Sequence, residues 1–480
     1  MLLTRKHIIF SLIWKYLEQC SAQAVQFVIS IILARLLMPE DFGVIALVAI
    51  FISIANVFVA SGLNSALIQK KDADELDFSS VFWLSLCIAF FVYIILFFAA
   101  PLIANFYEKD ILISIVRILG LNLFIGVFNS MQGVVVAKNL LFKKMFYRSF
   151  IVSIPTGILG IFLAYRGFGV WSLIWQQMCG SILTYIFMQF VVKWKPKLIF
   201  SFARAKALFD FGWKLLVSAL IALTFGNLHN LIIGKFFSTT TLGFCNKGES
   251  FPKLVITNID SSIQAVMFPV FSEFQNDKEK LKQTFRRSIT FSSFVIFPLM
   301  VLLAVVAEPT VRLILGEKWL PSVFFLQAYC FIYSLWFIHT NNLTIMNALG
   351  RSDLFLKLEI IKGIIIPLVV IVTLVIFESI YALIGAMVVI SLLGTFINSF
   401  PNKRLLGYGF LKQAKDILPA FIISLVTGIV VFPFSFFDIP DFATIILQIA
   451  FGLAIYLLLA KMFKLESMDY FLGILKRGIK

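Results

Sequence analysis

Charge is scarce in this chain of 480 residues: Asp, Glu, Lys and Arg together make up 14%, against about 25% in soluble domains. With 60% of the residues hydrophobic and a mean hydropathy of +0.98, a water-soluble globule is excluded and most of the chain must face lipid. The five cysteines (Cys20, Cys87, Cys179, Cys245, Cys330) stand singly, with no CxxC pair and no metal-ligand spacing. That excludes a disulfide framework and a cysteine metal centre. There is no GxxxxGK[ST] or other glycine-rich phosphate loop, so nothing in the chain drives work with ATP. No cofactor is expected. The start, MLLTRKHIIFSLIW, resembles a signal peptide followed by Ser-Ala-Gln-Ala, but Lys15 and Glu18 interrupt its apolar core and no cleavage is expected.

What the chain does have is long apolar runs. They do not alternate with period two, so they read as helices rather than barrel strands. At about 20 residues per crossing they predict an all-α, polytopic membrane protein of about 14 transmembrane helices. The first is Leu12–Leu37 and the last Phe442–Met462; Leu215–Phe237, Leu242–Val270 and Val323–Leu349 are the seventh, eighth and tenth. With the N-terminus inside and sides alternating, about 29 of the 41 Lys and Arg fall in inside loops. About four (Lys109, Arg166, Arg312, Lys318) fall outside, as the positive-inside rule requires. The net charge of +16 therefore reflects topology and anionic lipid heads. Spread over every second loop, it does not form a nucleic-acid site. Asp72-Ala73-Asp74 is a nominal DxD, the metal–nucleotide signature of glycosyltransferases, but it sits in a charge-rich loop and reads as a solvated turn.

A repeat is visible. IILARLLMPEDFGV (Ile31–Val44) aligns without gaps on LIIGKFFSTTTLGF (Leu231–Phe244), pairing Arg35 with Lys235 and Gly43 with Gly243. The two copies lie six helices apart, so they have the same orientation, the arrangement from which two-lobed transporters are built.

LARLLMPEDFGVIAL followed by ASGLNSALIQKKDADE resembles the first hairpin and second-helix exit of Wzx-type polysaccharide flippases. These form the polysaccharide branch of the multidrug/oligosaccharidyl-lipid/polysaccharide (MOP) exporter superfamily. LGFCNKGESFPKLVITNIDSSIQAVMFPVFSEFQNDKEKL, LGEKWLPSVFFLQ and NALGRSDLFLK resemble later landmarks in the same order. The resemblance implies a MATE-like MOP fold with two six-helix lobes, 1–200 and 201–410, and two added helices with a tail over 411–480. It implies a bacterial inner-membrane protein with both termini cytoplasmic. Its implied substrate is undecaprenyl-pyrophosphate-linked oligosaccharide, handled beside membrane lipids and in company with a polysaccharide polymerase and chain-length machinery.

Polar groups inside spans are costly and so mark candidate sites. Lys15, Gln19, Gln23 and Gln26 recur on one face of the first helix, with Glu18 beside them; the face is either polar glue between helices or the wall of a cavity. The eighth helix carries a longer stripe with Asn246, Ser250, Lys253, Thr257, Asp260 or Ser261, and Gln264, in which Glu249 and Lys253 form an i,i+4 pair. The pair either neutralises itself or serves cargo. Arg117 and Lys214 add cations, Asn342 a mid-span amide, and Lys15 and Lys214 also fit snorkelling beside Trp14 and Trp213. Lys253 and Arg117 are the expected pyrophosphate contacts. The ion coupling that the resemblance suggests would use Glu18, Glu249 or Glu359. Two rivals remain: a cation-coupled multidrug extruder of the same superfamily, disfavoured because buried bases outnumber acids, and a membrane polymerase or glycosyltransferase, disfavoured by the lack of a long external loop.

Overall fold

The computed structural model describes residues 5–60, 62–70, 72–139, 141–192 and 194–468; the side chains at 5–13, 15, 16, 142, 211, 214, 215, 222 and 352 are outside that set. All regular structure among the described residues is helical. The chain forms two compact units, Met1–Gly243 and Phe244–Lys480.

The first unit holds α1 (Arg5–Leu36), α2 (Pro39–Ala60), α3 (Leu63–Gln69), α4 (Glu75–Tyr107) and α5 (Ile111–Gly120). It continues with α6 (Asn122–Asn139), α7 (Phe142–Tyr165), α8 (Val170–Val191), α9 (Phe202–Gly226), α10 (Leu228–Phe236) and the start of α11 (Thr239–Glu273). The second unit takes the rest of α11, then α12 (Lys278–Val305), α13 (Ala307–Ile314), α14 (Ser322–Ser334), α15 (Trp336–Ala348) and α16 (Ser352–Phe377). It ends with α17 (Ile380–Leu406), α18 (Phe410–Val431) and α19 (Asp441–Met462).

Among the described residues, twelve helical stretches are long and apolar enough to cross a membrane, or thirteen if the pair 216–226 and 228–236, bent by 40°, is one span. The expected count was about 14. The remaining stretch is α8, of spanning length at 22 residues but carrying Gln176, Gln177 and Gln189, which lower its apolarity. Lipid-facing stripes are plain: Phe91, Ile95, Phe98 and Leu102 on α4, and Ile364, Leu368, Ile371 and Val375 on α16, are exposed at helical spacing.

The repeat explains one close backbone crossing. Its matched glycines, Gly43 of α2 and Gly243 of α11, face each other. A Cβ on Gly43 would collide with the carbonyl oxygen of Thr239, and one on Gly243 with that of Pro39. Both helix starts are capped at equivalent places. The Met38 N–H donates to Asp41 Oδ2 at 3.0 Å, and the Thr241 N–H donates to Ser238 Oγ at 2.9 Å. Glu40 pairs with Lys109, so the two acids of this turn stabilise a helix start. At the opposite end of α2, Gly62 (φ +66°) brings the turn before α3 against the backbone of Gly212 in α9.

Candidate functional site

In the first unit, α1 presents Gln19 and Gln23 half-buried and Gln26 exposed. Glu18 lies 6% exposed and meets Arg148 of α7 at 3.4 Å, where α1 and α7 pack closely along each other. That charge is locked between two helices. Arg117 of α5 turns onto α4: its guanidinium stacks 4.0 Å from the centre of the Phe97 ring and its Nε donates to the Phe97 carbonyl at 3.3 Å. The side chains of Lys15 and Lys214 lie outside the described residues.

In the second unit, α11 carries the longest polar stripe. Asn246, Ser250 and Thr257 are half-buried and Lys253 is exposed, within a span that cannot show such groups to hydrocarbon. The Lys253 ammonium is 3.0 Å from Glu249 Oε1, with the lysine side chain 56% exposed and the glutamate 10%. The Tyr333 hydroxyl of α14 donates to the same oxygen at 2.6 Å. Glu249 is thus anchored from two sides, whereas Lys253 reaches outward from its anchor. Ser250 and Thr257 donate back to the carbonyls of Lys247 and Lys253, leaving their lone pairs on the stripe.

Other expected site residues are drawn elsewhere. Asn342 of α15 is fully buried. It exchanges hydrogen bonds at 2.9 Å with Gln413 of α18 in both directions, and its Oδ1 accepts from Asn402 of α17 at 2.7 Å. Glu359 of α16 binds Lys362 one turn along at 2.5 Å. All three expected ion-coupling acids, Glu18, Glu249 and Glu359, therefore stand in ion pairs. His339 of α15 shares hydrogen bonds with Thr395 and Asn398 of α17.

Two acidic positions carry more than the sequence pattern indicated. Asp260 of α11, the ambiguous member of the stripe, is 6% exposed and sits against Thr340 of α15 at 2.7 Å. Asp77 of α4 is fully buried, 2.6 Å from Lys70 and 3.5 Å from Arg204 of α9. Its signal was legible as the third residue after Asp74, the spacing of a reciprocal helix cap, and the two do exchange backbone hydrogen bonds.

Asp74 takes the Asp77 N–H at 2.9 Å and Arg204 at 2.5 Å, so the DxD carboxylate is occupied as a helix cap and inter-helix tie. The Asp77 N–H foremost, then Arg204, hold its pKa at about 2, below the usual 3.8. A carboxyl depressed on folding stabilises the fold fully above its unfolded pKa and loses that contribution as pH falls through the folded one. The tie between α4 and α9 should thus hold down to pH about 4 and fail toward pH 2. Asp74→Asn is expected to lower the thermal midpoint at neutral pH and to remove this acid-dependent component, read as a shallower fall of the midpoint between those values.

Comparison with known proteins is consistent with this geometry. Residues 32–324 match the family described as polysaccharide biosynthesis protein. The teichuronic acid biosynthesis protein TuaB of Bacillus subtilis (strain 168) is 26% identical over 305 residues, 62% of each chain. The lipopolysaccharide biosynthesis protein WzxC of Escherichia coli (strain K12) is 24% identical over 347 residues, 71% of this chain and 70% of that one. The succinoglycan biosynthesis transport protein ExoT of Rhizobium meliloti (strain 1021) is 24% identical over 64% of this chain. The match spans 62% of the length of TuaB and of ExoT. In fold, the chain is similar to the lipid II flippase MurJ in an inward closed conformation, with TM-score 0.75, 17% identity and 94% and 98% of the two chains covered. An inward-facing MATE transporter of the MOP superfamily follows at TM-score 0.60 and 13% identity, over 80% and 95%. With more than half of its length in the match and a MOP-type helical fold carrying at least twelve membrane spans, this chain belongs to the polysaccharide biosynthesis protein family.

Proposed function

We propose that the protein is a flippase, carrying polyisoprenyl-pyrophosphate-linked oligosaccharide repeat units from the cytoplasmic to the outer leaflet for surface polysaccharide assembly. The observation that carries this reading is the α11 stripe. A polar face with an exposed lysine, on a helix of membrane-spanning length, has a physical use only beside a watery passage. Sugars need that passage to cross hydrocarbon, and the pyrophosphate needs cations. Lys253 supplies one, held ready by Glu249. The glutamines of α1 add neutral hydrogen-bonding groups suited to sugar hydroxyls. Relatives named for lipopolysaccharide biosynthesis and succinoglycan transport support the cargo class. The chain then acts by alternating access, its lobes rocking in the cytoplasmic membrane with both termini inside, and hands its cargo to a polymerase. It makes and breaks no covalent bond.

The multidrug rival would present an open, unpaired acid to a cationic drug, but Glu249 of the α11 stripe is spent on Lys253 and Tyr333, and Asp260 is buried against Thr340 and Gln264. In a strain lacking the protein, the lipid-linked repeat unit is expected to accumulate on the cytoplasmic side. The wild type and Lys253→Arg restore export, while Lys253→Ala weakens cargo affinity on the order of tenfold to a hundredfold, the loss of one charge-assisted contact. Export by Lys253→Ala at wild-type rate and expression would remove Lys253 from the passage. Sensitivity to cationic drugs without accumulation of the precursor would favour the extruder.

A further inference from the structure

The acids of the polar stripes are matched with bases, with one exception. Asp260 is 6% exposed, lies in a membrane span and has only neutral partners. Thr340 donates to its Oδ1 at 2.7 Å and the Gln264 amide donates to the same oxygen at 3.3 Å. The Trp336 indole is a third neutral neighbour. The other charged groups of α11 are Lys247, Glu249 and Lys253, which begin two turns before Asp260, about 10 Å along the helix, and Glu273 at the helix end, more than three turns beyond it. The titratable side chain on α15 is His339, which is turned to Thr395 and Asn398 of α17. On α14 there is no ionisable side chain besides its tyrosines and Cys330, of which Tyr333 is bound to Glu249. On α16, Glu359 and Lys362 bind each other, and Lys357 lies nearer the helix start.

A carboxylate so placed is stabilised by taking up a cation or a proton, and its surroundings suit the proton. The Thr340 hydroxyl has two ways to turn. It donates to Asp260, or it swings toward the carbonyls of Trp336 at 3.3 Å and Phe337 at 3.2 Å. In the second position its oxygen can accept a hydrogen bond from a protonated Asp260. Both protonation states are therefore satisfied by rotation of one hydroxyl, with no heavy atom displaced. Gln264 extends the chain: its Nε2 also reaches Thr340 at 3.1 Å and its Oε1 accepts from Thr344, one turn further along α15, at 2.5 Å.

We propose that Asp260 binds and releases the proton that powers this transporter, with Thr340 as the hydroxyl that switches between the two states and Gln264 and Thr344 as the polar path to it. The step is a proton taken up by Asp260 Oδ on one side of the membrane and released on the other. This rests on the flippase reading, and the test separates the two. In detergent, the wild-type protein should show a pH-dependent change in tryptophan emission, from Trp336 beside the carboxyl, that is lost in Asp260→Asn. Thr340→Val, which removes a donor to the anion, should move that midpoint to higher pH. In proteoliposomes loaded with the lipid-linked oligosaccharide, an imposed pH gradient should accelerate wild-type flipping and leave Asp260→Asn, which keeps the amide's shape, at its gradient-free rate. An unchanged emission titration in Asp260→Asn, flipping by that variant that still follows the gradient, or drive by a sodium gradient alone would overturn the proposal. Failure of every variant, wild type included, to flip the lipid while the titration behaves as described would instead count against the flippase reading.

Discussion

Valine at position 43 is expected to cost this protein about 3 kcal/mol or more, the upper end of the range for overpacking. Most overpacked sites relax because a side chain gives way. Here the atom in the way is the Thr239 carbonyl oxygen, part of the first turn of α11, and the matching Gly243 meets the Pro39 carbonyl from the other side. Neither backbone can retreat without separating two capped helix starts and the ion pair of Glu40 with Lys109. Over a unit of 243 residues this should lower the thermal midpoint by roughly 6–12 °C, with the same loss from Gly243→Val. Gly133→Ala is the control, because nothing lies within 4 Å of a Cβ built there. A Gly43→Val protein that melts with the wild type would mean that the α2–α11 crossing is not as tight as described.

Leucine at position 342 is the second large effect. Asn342, Asn402 and Gln413 are all at most 1% exposed, and Asn342 is the hub that both others address. Leucine keeps the volume and removes the hub. The Gln413 carbonyl then has no donor and the Asn402 amide keeps only a 3.3 Å contact to the backbone of residue 342. Two buried polar groups left short of partners cost about 2–4 kcal/mol, read as a lower midpoint of thermal unfolding in detergent. Gln413→Leu added to Asn342→Leu should cost less than the sum of the two single changes, because the second removes a group already orphaned. Additive losses would show that the three amides act separately.

Asn342 also shows where sequence reading stops. Polar residues in a span signal either a watery wall or an internal bond, and periodicity cannot choose between them. The choice depends on Gln413 and Asn402, which lie 71 and 60 residues away in the chain. Glu18 is similar: its partner Arg148 is 130 residues distant, so its burial against α7 had no local signature. The Glu249–Lys253 pair was legible because both partners sit on one helix at i,i+4, yet the Tyr333 hydroxyl that leaves the lysine outermost was not. Membrane character, the polar stripe of α11 and the Gly43–Gly243 correspondence could all be read directly, since each is a matter of local composition or spacing. That the two glycines touch could not be, because alignment equates positions without placing them. The bend between α9 and α10 has no local signature, because Leu215–Phe237 is mostly apolar and Asn227, where the helix breaks, differs little from the other polar residues of that run.

The most direct measurement is flipping by the purified protein alone. Proteoliposomes carrying a polyprenyl-pyrophosphate-linked oligosaccharide in both leaflets are treated with a membrane-impermeant glycosidase. Vesicles with the protein should lose nearly all of the sugar to the enzyme, and protein-free vesicles should stop near half, with no new glycosidic bond formed in either. Cleavage that stops near half with folded protein present, or lengthening of the oligosaccharide, would contradict the flippase.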